Sequence, residues 1–178
     1  NGFSLWPDFS TYALLTVWNS QKEAEAFLNN HPLSQQFDSK ASFKTTYFLE
    51  TIKSHGKWDG ANPFITSDPK EKFEGKIGII TRATLNTSRL IEFWKSVPKA
   101  SRAIANASGV SWFKGIGEWP FIQQATFSIW DNEDAVQEFA YRSRPHASIV
   151  AKTRKRNWYK EDLFARFHIV GIQKKQLI

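Results

Sequence analysis

Four histidines are the residues best equipped for metal or acid–base chemistry: His31, His55, His146 and His168. His31 precedes Pro32, and His55 precedes Gly56, so both read as turn residues. His168 alternates with Arg166 along a strand-like segment, which puts the pair on one face. His146 has a different setting. Pro145 suits the first position of a helix and places His146 in its first turn. His146, Ile149, Val150 and Thr153 then share a face, with the basic residues mostly opposite. The positive end of a helix disfavours an imidazolium, so the ring stays neutral, the form that binds a metal. An ordinary structural histidine fits the same position, and spacing alone does not separate the two.

Other chemistries are excluded or unsupported. The chain has no Cys, which removes disulfides, thiolate catalysis, iron–sulfur clusters and Cys-based zinc sites. It has no Met either, so His and Tyr alone remain from the usual set of haem axial ligands. There is no P-loop, HExxH, GxSxG or paired-carboxylate signature. Gly115-Ile116-Gly117 is too short for a dinucleotide fingerprint and reads as a hairpin bulge. The formal charge of +7 is partly gathered in Lys152, Arg154, Lys155 and Arg156, a pattern that also suits a solvated helix end. No run approaches the roughly 20 apolar residues that a spanning helix needs. The 15 Phe and 8 Trp point to a ring-rich core or pocket, suited to dense packing or to a flat apolar ligand.

The elements that must position these residues come from an internal repeat. Gly2 to Phe27 (GFSLWPDFSTYALLTVWNSQKEAEAF) matches Gly115 to Phe139 (GIGEWPFIQQATFSIWDNEDAVQEF). Trp6-Pro7 aligns with Trp119-Pro120, Trp18 with Trp130 and Phe27 with Phe139. The match resumes where Phe43-Lys44 and Tyr47-Phe48 meet Tyr159-Lys160 and Leu163-Phe164.

The second copy reads as a whole unit. Lys76 to Leu85 is a β-branched strand. Thr87 to Ala107 is a helix that Pro98 should kink or split. Val110 to Lys114 and Gln124 to Trp130 are strands, with Gly115, Gly117 and Pro120 supplying the hairpin or bulge between them. Asp131 to Tyr141 is a helix with Asp131 as N-cap, and Leu163 to Ile172 is the last strand. In the first copy, Ser20 and Glu23 form a capping-box pattern. The order is β-α-β-β-α-β, the ferredoxin-like unit. The predicted fold is therefore α+β: two ferredoxin-like units fused as a pseudo-dimeric α+β barrel. Residues 1–53 form the first unit, 54–75 a linker and 76–178 the second unit. The first unit lacks its opening strand and helix, which predicts about 35 to 45 residues upstream by analogy with the repeat.

These residues also carry a family resemblance. Lys57-Trp58-Asp59-Gly60, Asn62-Pro63-Phe64, Thr81-Arg82-Ala83-Thr84, Phe93-Trp94 and Pro98 through Ile104 contribute to it. So do Gly115-Ile116-Gly117-Glu118, Gln124 through Asp131 and Glu161 through Gly171. In combination they resemble the spheroidene monooxygenase family, the acyclic-carotenoid ketolases. The resemblance implies a fold similar to haem-binding dimeric α+β barrels. It implies haem b, molecular oxygen, an electron-donor protein such as a ferredoxin, and oxidation of an apolar polyene. It implies His146 as the iron ligand. Arg82 and Arg166, on neighbouring strands, become candidates for binding propionates or an iron-bound oxygen species, beside the plainer reading as rim arginines. Trp94, Phe127, Trp130 and Trp158 are candidates for an apolar tunnel as well as for core packing. The implied location is cytoplasmic, with peripheral membrane contact compatible with a lipid-soluble substrate, and nucleic acid is not an expected partner.

Two other functions stay open. One is a haem enzyme of different chemistry, dehydratase-like or peroxidase-like, since fold does not fix function. The other is a non-catalytic protein that binds an apolar ligand, or nucleic acid through the Lys152 to Arg156 cluster.

Overall fold

The computed structural model describes residues 2–4, 6, 8–66, 73–119, 121–142, 151–153 and 155–177, with the side chains of 141 and 142 excepted. Helices α1 (Gln21–Asn30) and α2 (Pro32–Asp38) lead into strand β1 (Phe43–Gly56). Strand β2 (Ile77–Leu85), helix α3 (Leu90–Ala105), strands β3 (Val110–Trp119) and β4 (Gln123–Trp130), helix α4 (Glu133–Gln137) and strand β5 (Tyr159–Gln176) follow. The predicted β-α-β-β-α-β order is thus realised from Ile77 onward. The five strands form one sheet in the order β1-β5-β2-β4-β3, and every pairing is antiparallel.

The two faces of the sheet have different covers. Ile77 and Ile79 pack with Trp130 and Val136, and Ala83 and Leu85 pack with Phe93, Val97 and Trp158. That is the face under α3 and α4. The opposite face carries Ile80, Leu163, Ala165 and Phe167, which pack under Phe64 from the segment after β1. The sequence reads 54–75 as a linker. Instead, 54–56 finish β1 and 57–66 fold back over this helix-free face. Lys57 donates its backbone N–H to the Asp162 carbonyl at 2.8 Å, and the Phe64 ring stands edge-on to Phe167 at 5.0 Å.

Several boundaries moved, each for a local reason. Asn132, not Asp131, caps α4 by accepting from the Ala135 N–H at 2.9 Å. Asp131 is committed elsewhere, to Ser111 and Lys76. Pro98 does not split α3, which runs unbroken past it; the proline stands on the exposed side of the helix. Gly115 and Gly117 lie within β3, and the chain reverses only where Ile122 N–H meets the Trp119 carbonyl. The irregularity expected near them falls between Gly117 and Trp119. Ser20 caps α1 as its capping-box pattern implied.

The repeat is only partly expressed as structure. β1 matches β5, and α1 matches α4. The counterparts of β3 and β4, within residues 2–18, form no strand among the described residues. The start of this segment does lie beside β3, where the Gly115 N–H donates to the Gly2 carbonyl at 3.1 Å, but one such bond does not make a ladder.

Gly56 ends β1 with φ +90°, and a Cβ built there would stand 2.2 Å from the Asp162 carbonyl oxygen. Only glycine allows β1 to lie this close to β5 before the chain turns onto the sheet. Gly56→Ala is expected to lower stability by about 1–3 kcal/mol in urea unfolding, with far-UV circular dichroism retained. An unchanged urea midpoint would show that the approach is not needed.

Candidate functional site

Arg82 is the most constrained charge in the molecule. It comes from β2, on the helix-free face, and its side chain is fully buried. Its Nε donates to Glu118 at 2.9 Å, Nη1 to Glu161 at 2.7 Å and Nη2 to Asp59 at 2.9 Å. The Trp58 ring lies 5.2 Å from the guanidinium carbon. Burial alone would push the Arg82 pKa down. The hydrogen bonds and charges of Glu118 and Asp59 outweigh it, and the pKa rises above the ordinary arginine value.

The partners arrive on three separate pieces of chain. Glu118 stands at the irregular end of β3, and Glu161 starts β5. Asp59 and Gly60 form a tight reversal between Trp58 and Ala61, with φ of 52° and 87°. Two left-handed central residues are what a type I′ turn requires, and Asp-Gly is a favoured pair for it. The N–H groups of Asp59 and Gly60 both donate to Glu161 at 2.8 Å. The Gly60 N–H lowers the Glu161 pKa; burial raises it, and the Asp59 N–H and Arg82 add to the lowering, so the net shift is downward.

Beside this cluster runs an aromatic strip. Tyr47 of β1 meets Phe127 of β4 edge-on at 5.5 Å, and Trp112 of β3 meets the same Phe127 at 6.0 Å. Two strands, β5 and β2, lie between Tyr47 and Phe127. Their rings meet because Gly78, on β2, leaves the space open: a Cβ there would stand 3.2 Å from the Phe127 ring and 3.5 Å from Leu49. Burial raises the Tyr47 pKa, so its phenol is neutral. The strip offers ring faces, one phenol and solvent access at Trp112, which is 36% exposed. Such a surface suits a flat or extended apolar molecule.

The residues singled out by sequence do not share one site. Arg82 pairs with Leu163 on β5, whereas Arg166 pairs with Ile79 on β2. Alternation puts the two arginines on opposite faces of the sheet. Arg166 faces the helices, donates to Glu133 at 2.6 Å, and leaves its buried Nε without a hydrogen-bond partner among the described residues. Trp130 and Trp158 are core residues on that same side, and Trp94 bonds the Phe121 carbonyl. Of the four aromatics considered for a tunnel, Phe127 alone lies on the strip. His31 caps α2 and stacks on Phe27, and His55 stacks on Phe164. His168 stacks on Phe73 at 3.9 Å, and its burial lowers its pKa. His146 lies outside the described residues.

Sequence reasoning missed Tyr47, Trp112 and the Trp58–Asp59 contribution to Arg82. One signal was available: a lone glycine inside the apolar run of β2 marks a close approach by something else.

The fold and this face define a ferredoxin-like α+β protein with an aromatic strip on its helix-free side. No family model matches the chain. It is 34% identical over 171 residues to the spheroidene monooxygenase of Cereibacter sphaeroides, covering 96% of the chain and 52% of that protein. It is 28% identical over 173 residues to the spheroidene monooxygenase of Rhodobacter capsulatus, covering 97% of the chain and 72% of that protein. The chain thus spans about half the length of the first of these relatives. A putative monooxygenase from Fusobacterium nucleatum has a similar fold, with TM-score 0.52 and 10% identity over 90% of this chain and 70% of that one. Along nearly its whole length the chain is similar to these proteins named spheroidene monooxygenase, and to a third from Rubrivivax gelatinosus at 28% identity.

A pH dependence follows from Glu161. Its pKa is lowered from 4.5, so its contribution to stability is complete above that value and is lost as pH falls through the lower folded-state pKa. Thermal melting of Glu161→Gln should therefore fall below wild type at neutral pH, and the gap should close in acid. A gap that stays constant down to the acid limit would remove the charge as the cause.

Proposed function

We propose that the chain is part of a monooxygenase that oxidises an apolar, polyene-like substrate held against the Tyr47–Phe127–Trp112 strip. The observation that carries this reading is the strip itself, on a chain related along nearly its whole length to proteins named spheroidene monooxygenase. Rings at 5.5 Å and 6.0 Å spacing give a continuous apolar track, and a long conjugated chain would lie along it. The neutral Tyr47 phenol would give that track one polar landmark, enough to set which end of the substrate enters first.

Molecular oxygen and an electron-donor protein of ferredoxin type belong to the same proposal, as does haem b with His146 as its iron ligand. Haem would supply the oxidising centre. The described residues fit such a group only in part. The strip suits a planar apolar body, but Arg82 does not suit a propionate. Three carboxylates already surround its guanidinium, and a fourth anion would add repulsion rather than relieve it. Arg166 has one buried Nε that is unpartnered among the described residues, but it faces the helices, across the sheet from the strip, and so does not serve a group held there. In this reading Arg82 keeps the 57–61 turn against the sheet and so keeps water from the apolar face.

The same proposal covers the architecture. β1 and β5 are equivalent in the repeat, and they pair with each other in antiparallel register. Such pairing of equivalent strands is what a pseudo-twofold between two ferredoxin-like units would give.

The test has two readouts. Purified protein reconstituted with haemin should show a Soret band, and His146→Ala should lose it while far-UV circular dichroism stays unchanged. Phe127→Ala should weaken binding of an acyclic carotenoid about tenfold with the Soret band intact. Absence of a Soret band after haemin sinks the haem assignment. Carotenoid affinity untouched by Phe127→Ala sinks the strip. Product formation without oxygen and reductant would move the enzyme to dehydratase-like or peroxidase-like chemistry.

A further inference from the structure

We propose that the protein docks on anionic phospholipid bilayers through the outer face of α3, the helical residues 151–153 and 155–156 and the exposed rings at Trp119 and Phe121 of the β3–β4 hairpin. The argument stands on charge and exposure, apart from the oxygenase reading.

Charge is the first observation. Residues 87–107 contain Arg89, Lys95, Lys99 and Arg102 against a single acid, Glu92. Residues 151–156 contain Lys152, Arg154, Lys155 and Arg156 and no acid. Their combined excess equals the whole formal charge of +7, so the remainder of the chain is balanced. The two segments adjoin. Lys152 and Arg156 approach Glu92 at 3.8 Å and 3.5 Å, and Lys152 reaches Ser96 at 3.4 Å. Along α3, Lys95, Lys99 and Arg102 are exposed and fall on one stripe at helical spacing. This is one contiguous, predominantly basic patch with Glu92 as its single acid.

Exposed apolar groups at one end of that patch are the second observation. Ile91 begins the α3 stripe and is 75% exposed. Trp119 is 62% exposed and Phe121 46%, both at the β3–β4 hairpin. The hairpin is fastened to the same helix end: Trp94 Nε1 donates to the Phe121 carbonyl at 3.1 Å, and the two rings are 6.0 Å apart. Phe121 also has φ 66°, a conformation that a bulky side chain seldom adopts. The hairpin therefore holds an aromatic residue outward against its own backbone preference.

Together these features select the ligand. Trp and Phe beside Ile at the rim of a Lys/Arg field is the arrangement that settles at the headgroup level of a bilayer, with cations over anionic lipid. Single-stranded nucleic acid would call for rings interleaved among the cations, whereas here they are gathered at one end. Among the described residues no helix is long and apolar enough to cross a membrane.

Vesicle flotation tests this directly, using vesicles of equal parts phosphatidylglycerol and phosphatidylcholine beside vesicles of phosphatidylcholine alone. Wild type should float with the mixed vesicles only, and added salt should release it. The triple variant Lys95→Gln, Lys99→Gln, Arg102→Gln should lose about a hundredfold in partitioning, about fivefold for each cation removed. The pair Trp119→Ser and Phe121→Gly should weaken flotation while keeping the melting temperature, since glycine accepts φ 66° without strain. Flotation with neither vesicle type, equal flotation with both, or a triple variant that floats like wild type would each overturn the proposal. So would variants that float normally yet lose binding to DNA or to an acidic protein. Neither haem content nor turnover enters these measurements, so failure here leaves the oxygenase reading where it stood.

Discussion

A single buried guanidinium ties the helix-free face together. Arg82 sits on the central part of the sheet and is bonded to residues of β3, β5 and the turn at 58–61. An isolated buried charge of this kind is expensive, and here each of its three nitrogens meets a carboxylate. Removing one partner of a buried pair costs about 3–5 kcal/mol in other proteins, because the survivor is left uncompensated. The arrangement also needs the forked geometry of arginine, since three nitrogens bond three separate acids. Where Trp58 and Phe64 lie, and hence how the apolar face is roofed, follows from this one side chain.

The roof then sets what the face can do. Ile80, Leu163, Ala165 and Phe167 are closed over by Phe64, and this part behaves as core. The strip of Tyr47, Phe127 and Trp112 continues from that cluster, against which Phe127 packs, and reaches solvent at Trp112. One sheet face is thereby divided into a packed half and a usable half, with Gly78 letting rings from distant strands meet. The helix side has no such division, because α3 and α4 cover it and its tryptophans are absorbed into packing.

Much of the strand and helix order was legible because each element carries its own periodicity. KIGIITRATL is rich in β-branched residues, as a strand should be, and α3 shows Val97, one of its two buried positions, at helical spacing. Capping at Ser20 was legible for the same local reason. Three things were not. The stretch after β1 looked like a linker because Asp59, Gly60, Asn62 and Pro63 are turn formers, yet turn formers are also what a segment needs to fold back on a sheet. The counterpart of β4 near Trp18 has a strand-like sequence but no paired edge, and pairing is not a property of the segment alone. Arg82 and Arg166 were read as neighbours, which their strands are. Their opposite faces depend on register between β2 and β5, which no single-strand pattern contains.

β5 is 18 residues long, and it borders β1 along nearly its whole length and β2 along its first half. At about 3.3 Å per residue it runs close to 60 Å, several times an ordinary strand. It is therefore the common spine of both halves of the sheet. Neither half can lose its order without stripping hydrogen bonds from a strand that the other half also needs. The sheet should unfold as one cooperative body, and the backbone amides near Phe167, bordered on both sides, should be the last to exchange with solvent.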